Sequence, residues 1–181
     1  MSIKSTPVQG LPPFYSLAPL YSVQTVLETR EKQSKMWTHI ILKYCQQNRI
    51  FVFNVANEEQ KLFWNRTINR KLDRQGIVFF LEDMIARDLA EWTDRKTKET
   101  IFIYWKTPAE WADKIQKWVD DNGLANTVCT FFELLEGETG EGSEFFGMDK
   151  ECFKKALKVL EKRGRAEMFS SGDNEGVKFL Q

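Results

Sequence analysis

The stretch LEDMIARDLAEWTDRKTKETIFIY, residues 81–104, has a second copy in LKVLEKRGRAEMFSSGDNEGVKFL, residues 157–180. The two stretches align without a gap at an offset of 76 residues. In each, apolar residues recur first at helical spacing and then at alternate positions. Each copy therefore predicts the end of a helix, a short strand, a polar turn and a second strand. The matched pairs include Leu81 and Leu157, Met84 and Leu160, Ala90 and Ala166, Trp92 and Met168, and Ile101 and Val177.

The residues that precede each copy also agree in outline. Apolar residues mark one face of a helix over about 29–47 and of another over 108–121. The second helix has a well-marked start, because Thr107, Pro108 and Glu110 have the spacing of a capping box with proline at the first helical position. A short strand and a middle helix follow in each copy. The strands are predicted at 50–53 and 127–129, and the middle helices near 60–70 and 131–135.

The order helix, strand, helix, helix, strand, strand is that of the winged helix, a helix-turn-helix with a small β-hairpin. Two such units account for the chain except for its first 27 residues. We therefore predict an α+β fold with two tandem winged-helix domains, residues 28–105 and 106–181. An extended proline- and aromatic-rich segment, residues 1–27, precedes them.

Composition excludes several classes of protein. The chain has 26 basic and 26 acidic residues, and this zero net charge is unfavourable for a dedicated nucleic-acid binder. No apolar run approaches the roughly 18 residues of a membrane-spanning helix. The three cysteines are far apart and odd in number, which does not indicate a disulfide framework. With no signal peptide in the sequence, we expect a reducing, cytosolic setting.

The sequence predicts no enzyme, cofactor or metal site. His39 is the one histidine, and its place on a predicted helix favours a structural or surface role over catalysis. Zinc sites need clustered Cys and His at short spacing, and the sequence has no such cluster. The stretch EGETGEG, residues 136–142, has glycines but no lysine, and its glutamates would repel a phosphate. We interpret it as a flexible, solvated loop.

DNA binding is kept as an alternative, since many winged helices place their third helix in the major groove. Seven basic residues lie on or just after the third helix of the second domain, namely Lys150, Lys154, Lys155, Lys158, Lys162, Arg163 and Arg165. An acidic loop over 133–144 lies immediately upstream. Phosphate contacts supply most non-specific affinity, so this mixed surface more often indicates a solvated helix face.

The N-terminal stretch GLPPFYSLAPLYSVQ, residues 10–24, has an unusual density of proline and aromatic residues. Pro12-Pro13-Phe14-Tyr15 fits the pattern PPxY, and Ala18-Pro19-Leu20-Tyr21 is a weaker second copy without its first proline. Prolines favour the extended polyproline conformation, which lowers the entropy lost on docking into a groove. Three interpretations stay open on this evidence: an anchor for a partner protein, a ligand for WW domains, or a segment that packs on its own first domain.

Several stretches together resemble a known family. They are LPPFYSL (11–17), TREKQ (29–33), LFWNRTINRKL (62–72), YWKTPAEWADKIQKWV (104–119), EFFGMD (144–149) and GVKF (176–179). In this order they are similar to the vacuolar protein-sorting 25 family of the endosomal sorting complex ESCRT-II. That family is built from two winged-helix domains used for protein contacts.

The resemblance implies a non-enzymatic adaptor in multivesicular-body sorting of ubiquitinated cargo, cytoplasmic and recruited to the endosomal membrane. Its N-terminal motif would dock into the larger ESCRT-II subunits, the vacuolar protein-sorting proteins 22 and 36, with two copies of the adaptor per complex. The residues that match this motif are Pro12, Pro13, Phe14, Tyr15, Pro19, Leu20 and Tyr21. The second domain would recruit the ESCRT-III component vacuolar protein-sorting protein 20. For that contact we expect Phe131, Phe132, Lys154 and Lys158, with a core position for the phenylalanines as the alternative.

Overall fold

The structure is a computed structural model that describes residues 8–181. The chain divides into two compact units, residues 1–105 and 106–181. Each unit combines helices with a three-stranded antiparallel sheet, which confirms the predicted α+β fold class. Residues 1–7 of the predicted N-terminal segment lie outside the described part of the chain.

The first unit begins with two short 3-10 helices, Pro13–Ser16 and Ala18–Tyr21. The remaining elements are α1 (Leu27–Gln47), β1 (Val52–Asn54), α2 (Val55–Lys61), β2 (Trp64–Asn65), β3 (Arg70–Lys71), α3 (Arg74–Ala86), β4 (Ala90–Trp92) and β5 (Thr100–Ile103). The sheet has the strand order β1-β5-β4, and β2 and β3 form a separate hairpin.

The second unit repeats this order without the extra hairpin. The elements are α4 (Pro108–Asp121), β6 (Val128–Thr130), α5 (Phe131–Leu135), α6 (Lys150–Lys162), β7 (Ala166–Ser171) and β8 (Asn174–Phe179). The sheet has the strand order β6-β8-β7. Thr107 and Glu110 form the predicted capping box at the start of α4.

The internal repeat is visible in the strand register of both units. Ala90 pairs with Ile103 in the first sheet, and Ala166 pairs with Phe179 in the second. The next matching pairs are Trp92 with Ile101 and Met168 with Val177. Both pairings are shifted by the 76 residues of the sequence repeat, because alternation of apolar residues fixes register wherever one sheet face is buried. The predicted assignment of each unit to the winged-helix fold remains an interpretation of this order.

Two elements differ from the sequence prediction. The middle helix of the first unit is α2, which ends at Lys61, whereas 60–70 was its predicted range. Asn54 caps α2 by accepting a hydrogen bond from the Asn57 backbone, so the helix begins five residues earlier than the predicted range. The following residues form the hairpin of β2 and β3, where Asn69 has the positive φ of 50° that asparagine tolerates in tight turns.

The glycine-rich loop over 136–142 is exposed at most of its positions, as its composition predicts, but it is anchored to the second unit at Gly140. Gly140 is buried, and its backbone N–H donates a 3.0 Å hydrogen bond to the carbonyl of Glu133. Just downstream, Phe145 is 1% exposed and its ring lies 5.0 Å from the ring of Trp118. The loop therefore closes over the core of the second unit.

Within the described part of the chain, every helix falls short of the length or the apolar character that crossing a bilayer requires. The three cysteines, Cys45, Cys129 and Cys152, are free and buried.

Candidate partner-binding surfaces

The N-terminal motif lies against the first unit in a compact form. Pro12 and Leu17 keep the extended backbone that the prolines predict, with φ of −65° and −80°. One 3-10 helix lies between these two residues and the other follows Leu17. Each has a proline in its first two positions. The fixed φ of proline suits the first turn of a helix as well as it suits the polyproline conformation.

The second copy of the motif contributes to the core of the first unit. Leu20 and Tyr21 are only 3% and 4% exposed. The ring of Tyr21 meets the ring of Trp37 on α1 edge-on, with centroids 5.5 Å apart. The indole Nε1 of Trp37 donates a 2.9 Å hydrogen bond to the Leu20 carbonyl. These two side chains therefore face inward in the free chain.

Gln33 on α1 binds the backbone at the end of the motif and just after it, a role that sequence reasoning does not identify. Its side-chain Nε2 donates to the carbonyls of Leu20 and Ser22, at 3.0 and 2.7 Å. Its Oε1 accepts a 3.1 Å hydrogen bond from the backbone N–H of Gln24. The only signal in the sequence is its place in TREKQ, one helical turn before Trp37.

The first copy of the motif is held through Tyr15. Its hydroxyl donates a 2.6 Å hydrogen bond to the carbonyl of Leu62, while its own carbonyl accepts from Tyr21 Oη at 2.7 Å and from Asn65 Nδ2 at 3.1 Å. Burial raises the pKa of both tyrosines above the ordinary value of 10.0, so both hydroxyls keep the protons that they donate. Asn65 is a second contact residue that sequence reasoning does not identify.

The opposite face of the motif is exposed. Pro13 and Pro19 are exposed, and the side chain of Leu17 is 51% exposed. Pro12 and Phe14 are half-buried, and the ring of Phe14 lies 6.0 Å from the ring of His39 on α1. The segment thus packs on its own domain with one face and presents an apolar face with the other.

In the second unit, the two adjacent phenylalanines lie in different surroundings. Phe131 is 4% exposed and meets Phe153 edge-on, with ring centroids 5.5 Å apart. Phe132 is 65% exposed. They follow Thr130, which caps α5 together with Glu133, so consecutive positions of this short helix point in different directions. Only Phe132 offers its side chain to a partner.

The two lysines predicted with these phenylalanines lie on α6. Lys154 is half-buried and forms a 2.5 Å ion pair with Glu175 on β8, and Lys150 contacts the same carboxylate. Hydrogen bonds from Lys150 and then Lys154 lower the pKa of Glu175. Lys158 is exposed and forms no ion pair within residues 8–181. The structure connects Lys154, through Glu175, to the groove of about 380 Å³ that Phe132 also lines.

The basic side chains of the second unit are largely neutralised. At least four of the seven basic residues on or after α6 form ion pairs. Residues 106–181 contain 11 basic and 15 acidic residues, so this unit is acidic overall. Phosphate attraction is therefore weak here, which argues against the DNA-binding alternative. The basic residues on or after α6 that form these ion pairs are Lys150, Lys154, Arg163 and Arg165.

Among residues 8–181, no group of three or more histidine, cysteine or acidic residues is placed to hold a metal ion. His39, exposed on α1, contacts the motif only through the ring of Phe14. Two of the exposed apolar side chains coincide with the predicted binding regions, Leu17 in the first unit and Phe132 in the second.

Comparison with known proteins gives consistent matches across the chain. A family model described as an ESCRT-II complex subunit matches residues 14–149. A vacuolar protein-sorting-associated protein 25 from Dictyostelium discoideum is 39% identical over 192 aligned positions, which cover 97% of this chain and 98% of the relative. The protein of the same name from Xenopus laevis is 36% identical, with 92% and 95% covered.

Solved structures show the same similarity. A crystal structure of subunit VPS25 of ESCRT-II has a TM-score of 0.84 at 31% identity and covers 93% of this chain and 98% of its own. A chain in the crystal structure of the ESCRT-II complex, which contains VPS22, VPS25 and VPS36, has a TM-score of 0.82 at 30% identity, with 93% and 98% covered.

Proposed function

Since the chain belongs to the family of ESCRT-II complex subunits, we propose that it is a non-enzymatic adaptor that joins ESCRT-II through its N-terminal motif. Its partners would be the larger subunits, the vacuolar protein-sorting proteins 22 and 36, with two copies of the adaptor per complex. It would act in the cytoplasm, be recruited to the endosomal membrane by the complex, and take part in multivesicular-body sorting of ubiquitinated cargo.

The observation that supports this anchor is the two-sided packing of the motif. Tyr15, Leu20 and Tyr21 fix the segment on the first unit. Pro12, Pro13, Phe14, Leu17 and Pro19 keep apolar surface exposed or half-exposed on the other side. A segment that is already ordered loses little entropy on binding, so its apolar side chains contribute more of their burial to affinity. We therefore divide the predicted motif residues, together with Leu17, into a seating group and a docking group. The seating group is Tyr15, Leu20 and Tyr21, and the docking group is Pro12, Pro13, Phe14, Leu17 and Pro19.

The second part of the proposal concerns residues 106–181, which we take to be a second winged-helix domain. We infer that this domain recruits ESCRT-III, through its component vacuolar protein-sorting protein 20. The support is the exposure of Phe132 beside a groove whose rim carries Lys150 and Glu175, with Lys158 exposed on α6. Phe131 would support Phe132 from the core without touching the partner.

A reciprocal pair of variants tests both contacts. Leu17→Asp places a carboxylate on the docking face of the motif, and we expect it to weaken binding to the larger subunits by more than about 2 kcal/mol, or roughly thirtyfold. Phe132→Asp makes the same kind of change in the second unit. It should weaken ESCRT-III binding to a similar degree and leave ESCRT-II assembly intact.

The measurements are co-elution on size exclusion with the larger subunits and titration calorimetry with the ESCRT-III component. Val128→Asp is the matched control, because Val128 is 56% exposed and lies outside the proposed surfaces. If Leu17→Asp assembles as well as the unaltered chain, the motif is not the anchor. If Phe132→Asp binds ESCRT-III normally, the second contact lies elsewhere.

A further inference from the structure

The zero net charge of the chain conceals an uneven distribution. Residues 1–105 contain 15 basic and 11 acidic residues, so the first unit has a surplus of basic residues. The stretch 61–74 contains five basic residues and one acidic residue, which accounts for the whole surplus. We call this stretch, which runs from the end of α2 through the β2–β3 hairpin, the basic segment. Its five cations are Lys61, Arg66, Arg70, Lys71 and Arg74.

Two of these cations have an acidic partner within the unit and three do not. Lys71 forms a 2.8 Å ion pair with Glu59, and Arg74 reaches the same carboxylate at 4.0 Å. Lys61, Arg66 and Arg70 are exposed and form no ion pair within the described residues 8–181.

Arg66 is held in place by an aromatic ring. Its guanidinium carbon stands 3.8 Å from the ring centroid of Trp64, within the range of a cation–π contact. The contact fixes the position of the charge without neutralising it, so the guanidinium donors remain available to a carboxylate.

The unpaired cations lie beside both copies of the motif. A groove of about 540 Å³ is lined by Pro12 and Pro13 on one side and by Lys61 and Arg66 on the other. A second groove, of about 490 Å³, places Arg70 beside Pro19. A partner surface that covers the exposed prolines therefore also covers these charges.

Hydrogen bonds connect the motif and the basic segment into one surface. Tyr15 donates to the carbonyl of Leu62, and Asn65 Nδ2 donates to the carbonyl of Tyr15. Asn65 Oδ1 in turn accepts a 3.1 Å hydrogen bond from the backbone N–H of Thr67. The apolar docking face and the cations cannot separate without breaking these contacts.

We propose that the basic segment is the charged rim of this docking surface and binds carboxylates that surround the motif-binding pocket of the partner subunit. This rests on the proposed function, in which the motif is the anchor. Protein interfaces commonly combine an apolar centre with a polar rim, and rim charges mainly set the association rate. A lipid surface fits less well, since polybasic membrane binding typically takes about four to eight cations and only three are unpaired here.

The test uses the full chain with two matched double variants. Lys61→Glu with Arg70→Glu reverses two rim charges and leaves the Arg66–Trp64 contact in place. Arg95→Glu with Lys96→Glu changes the net charge equally at the turn between β4 and β5, where both residues are exposed. Association with the co-purified VPS22–VPS36 subcomplex is measured by stopped flow, and thermal unfolding checks that each variant is folded.

We expect the rim variant to associate about tenfold more slowly than the unaltered chain at about 0.01 M ionic strength. The difference should disappear near 1 M, where the Debye length is about 3 Å. The turn variant should retain the original rate within about twofold, because neither Arg95 nor Lys96 lines the two grooves beside the motif.

Equal slowing in both variants would overturn the proposal, since net charge alone would explain it. An unchanged rate in the rim variant would also overturn it. Binding of the chain to vesicles of phosphatidylserine and phosphatidylcholine, lost in the rim variant while subunit association is kept, would reassign the cations to a membrane. If the unaltered chain fails to bind the subcomplex, the proposed function fails. If the unaltered chain binds the subcomplex and the rim variant associates at the same rate, the proposed function stands and this inference fails.

Discussion

The indole Nε1 of Trp37 donates a 2.9 Å hydrogen bond to the backbone carbonyl of Leu20, 17 residues earlier in the chain. This contact joins the N-terminal segment to the longest helix of the first unit, whose Trp37 side chain is fully buried. A segment tied to the core in this way has two roles that mutation can separate. Its inward residues determine the stability of the unit, and its outward residues are free to bind a partner.

Leu20→Ala should therefore act on stability. Leu20 is 3% exposed, and truncating a buried leucine leaves a cavity that costs about 2–5 kcal/mol. We expect the free energy of unfolding to fall by about 3 kcal/mol, measured by urea denaturation followed by tryptophan fluorescence. Leu17→Ala is the control, because Leu17 is 51% exposed and should change stability by less than about 0.5 kcal/mol. Similar small effects at both positions would show that Leu20 is not part of the core in solution.

Asn65→Ala should loosen the motif from the hairpin. The side chain is 5% exposed and bonds both the Tyr15 carbonyl and the Thr67 N–H. Its loss removes the acceptor of the Thr67 N–H and one of the two donors to the Tyr15 carbonyl, which keeps its bond from Tyr21 Oη. We therefore expect a destabilisation of about 2 kcal/mol and faster hydrogen exchange at Thr67.

The control for this change is Asn57→Ala. Asn57 is exposed on α2, and its contact with Asn54 uses the backbone N–H, which alanine retains. Equal effects of the two substitutions would contradict the role assigned to the Asn65 amide.

Periodicity predicts much of the fold. Helix α4 begins and ends at Pro108 and Asp121 as predicted, since its capping box and apolar face are both local signals. The sequence prediction placed helix α2 too late in the chain, at 60–70 instead of Val55–Lys61. Leu62, Phe63 and Leu72 are all buried in the core of the first unit. Their apolar spacing resembles a helix although the chain there forms a hairpin, because contacts distant in sequence decide between the two.

The candidate site was predictable in part. The PPxY pattern identifies the segment, and the exposure of Pro13 agrees with a docking face. The inward orientation of Leu20 depends on its bonds to Trp37 and Gln33, which lie 17 and 13 residues away. Sequence alone contains no local signal for such contacts. For the same reason, composition alone could not separate buried Phe131 from exposed Phe132.

Gly140→Ala should destabilise the second unit, because Gly140 is buried and leaves no room for a side chain. A Cβ atom at Gly140 would lie 1.7 Å from the carbonyl oxygen of Leu134, a backbone atom that cannot move aside. We expect a loss of about 3 kcal/mol, at the upper end of the usual cost of over-packing, measured by thermal denaturation. Glu138→Ala, at an exposed position of the same loop, should be close to neutral. A neutral Gly140→Ala would mean that the loop is not held against the unit at Gly140 in solution.

Acidification should weaken the second unit partly through Glu144. Hydrogen bonds from Lys114 at 2.9 Å and Lys106 at 3.0 Å lower the pKa of this carboxyl below its ordinary value of 4.5. Because the folded-state pKa is the lower one, the stabilisation is present above pH 4.5 and is lost as the pH falls through the folded pKa.

The measurement for Glu144 is the unfolding free energy as a function of pH in the variant Glu144→Gln. We expect a loss of about 0.5 kcal/mol at pH 7, the scale of partly exposed ion pairs, which shrinks towards zero at low pH. Glu138→Gln serves as the control, since its side chain is exposed on the preceding loop over 136–142. A loss that is independent of pH would exclude the ion pairs as its cause.

The three cysteines should react slowly with thiol reagents while the chain is folded. Burial raises the pKa of Cys45 and Cys129, and burial followed by the nearby carboxylate of Asp149 raises the pKa of Cys152 to about 12. The thiolate is the reactive form, so little of it exists in the native state at pH 8. In unfolded chains the ordinary pKa of 9.0 applies, and raising the pH through that value favours unfolding. We expect Ellman's reagent to modify all three thiols rapidly in denaturant and only slowly without it, at the rate of opening of the units. One rapidly reacting thiol in the native protein, removed by Cys152→Ser, would show that Cys152 is accessible and ionised.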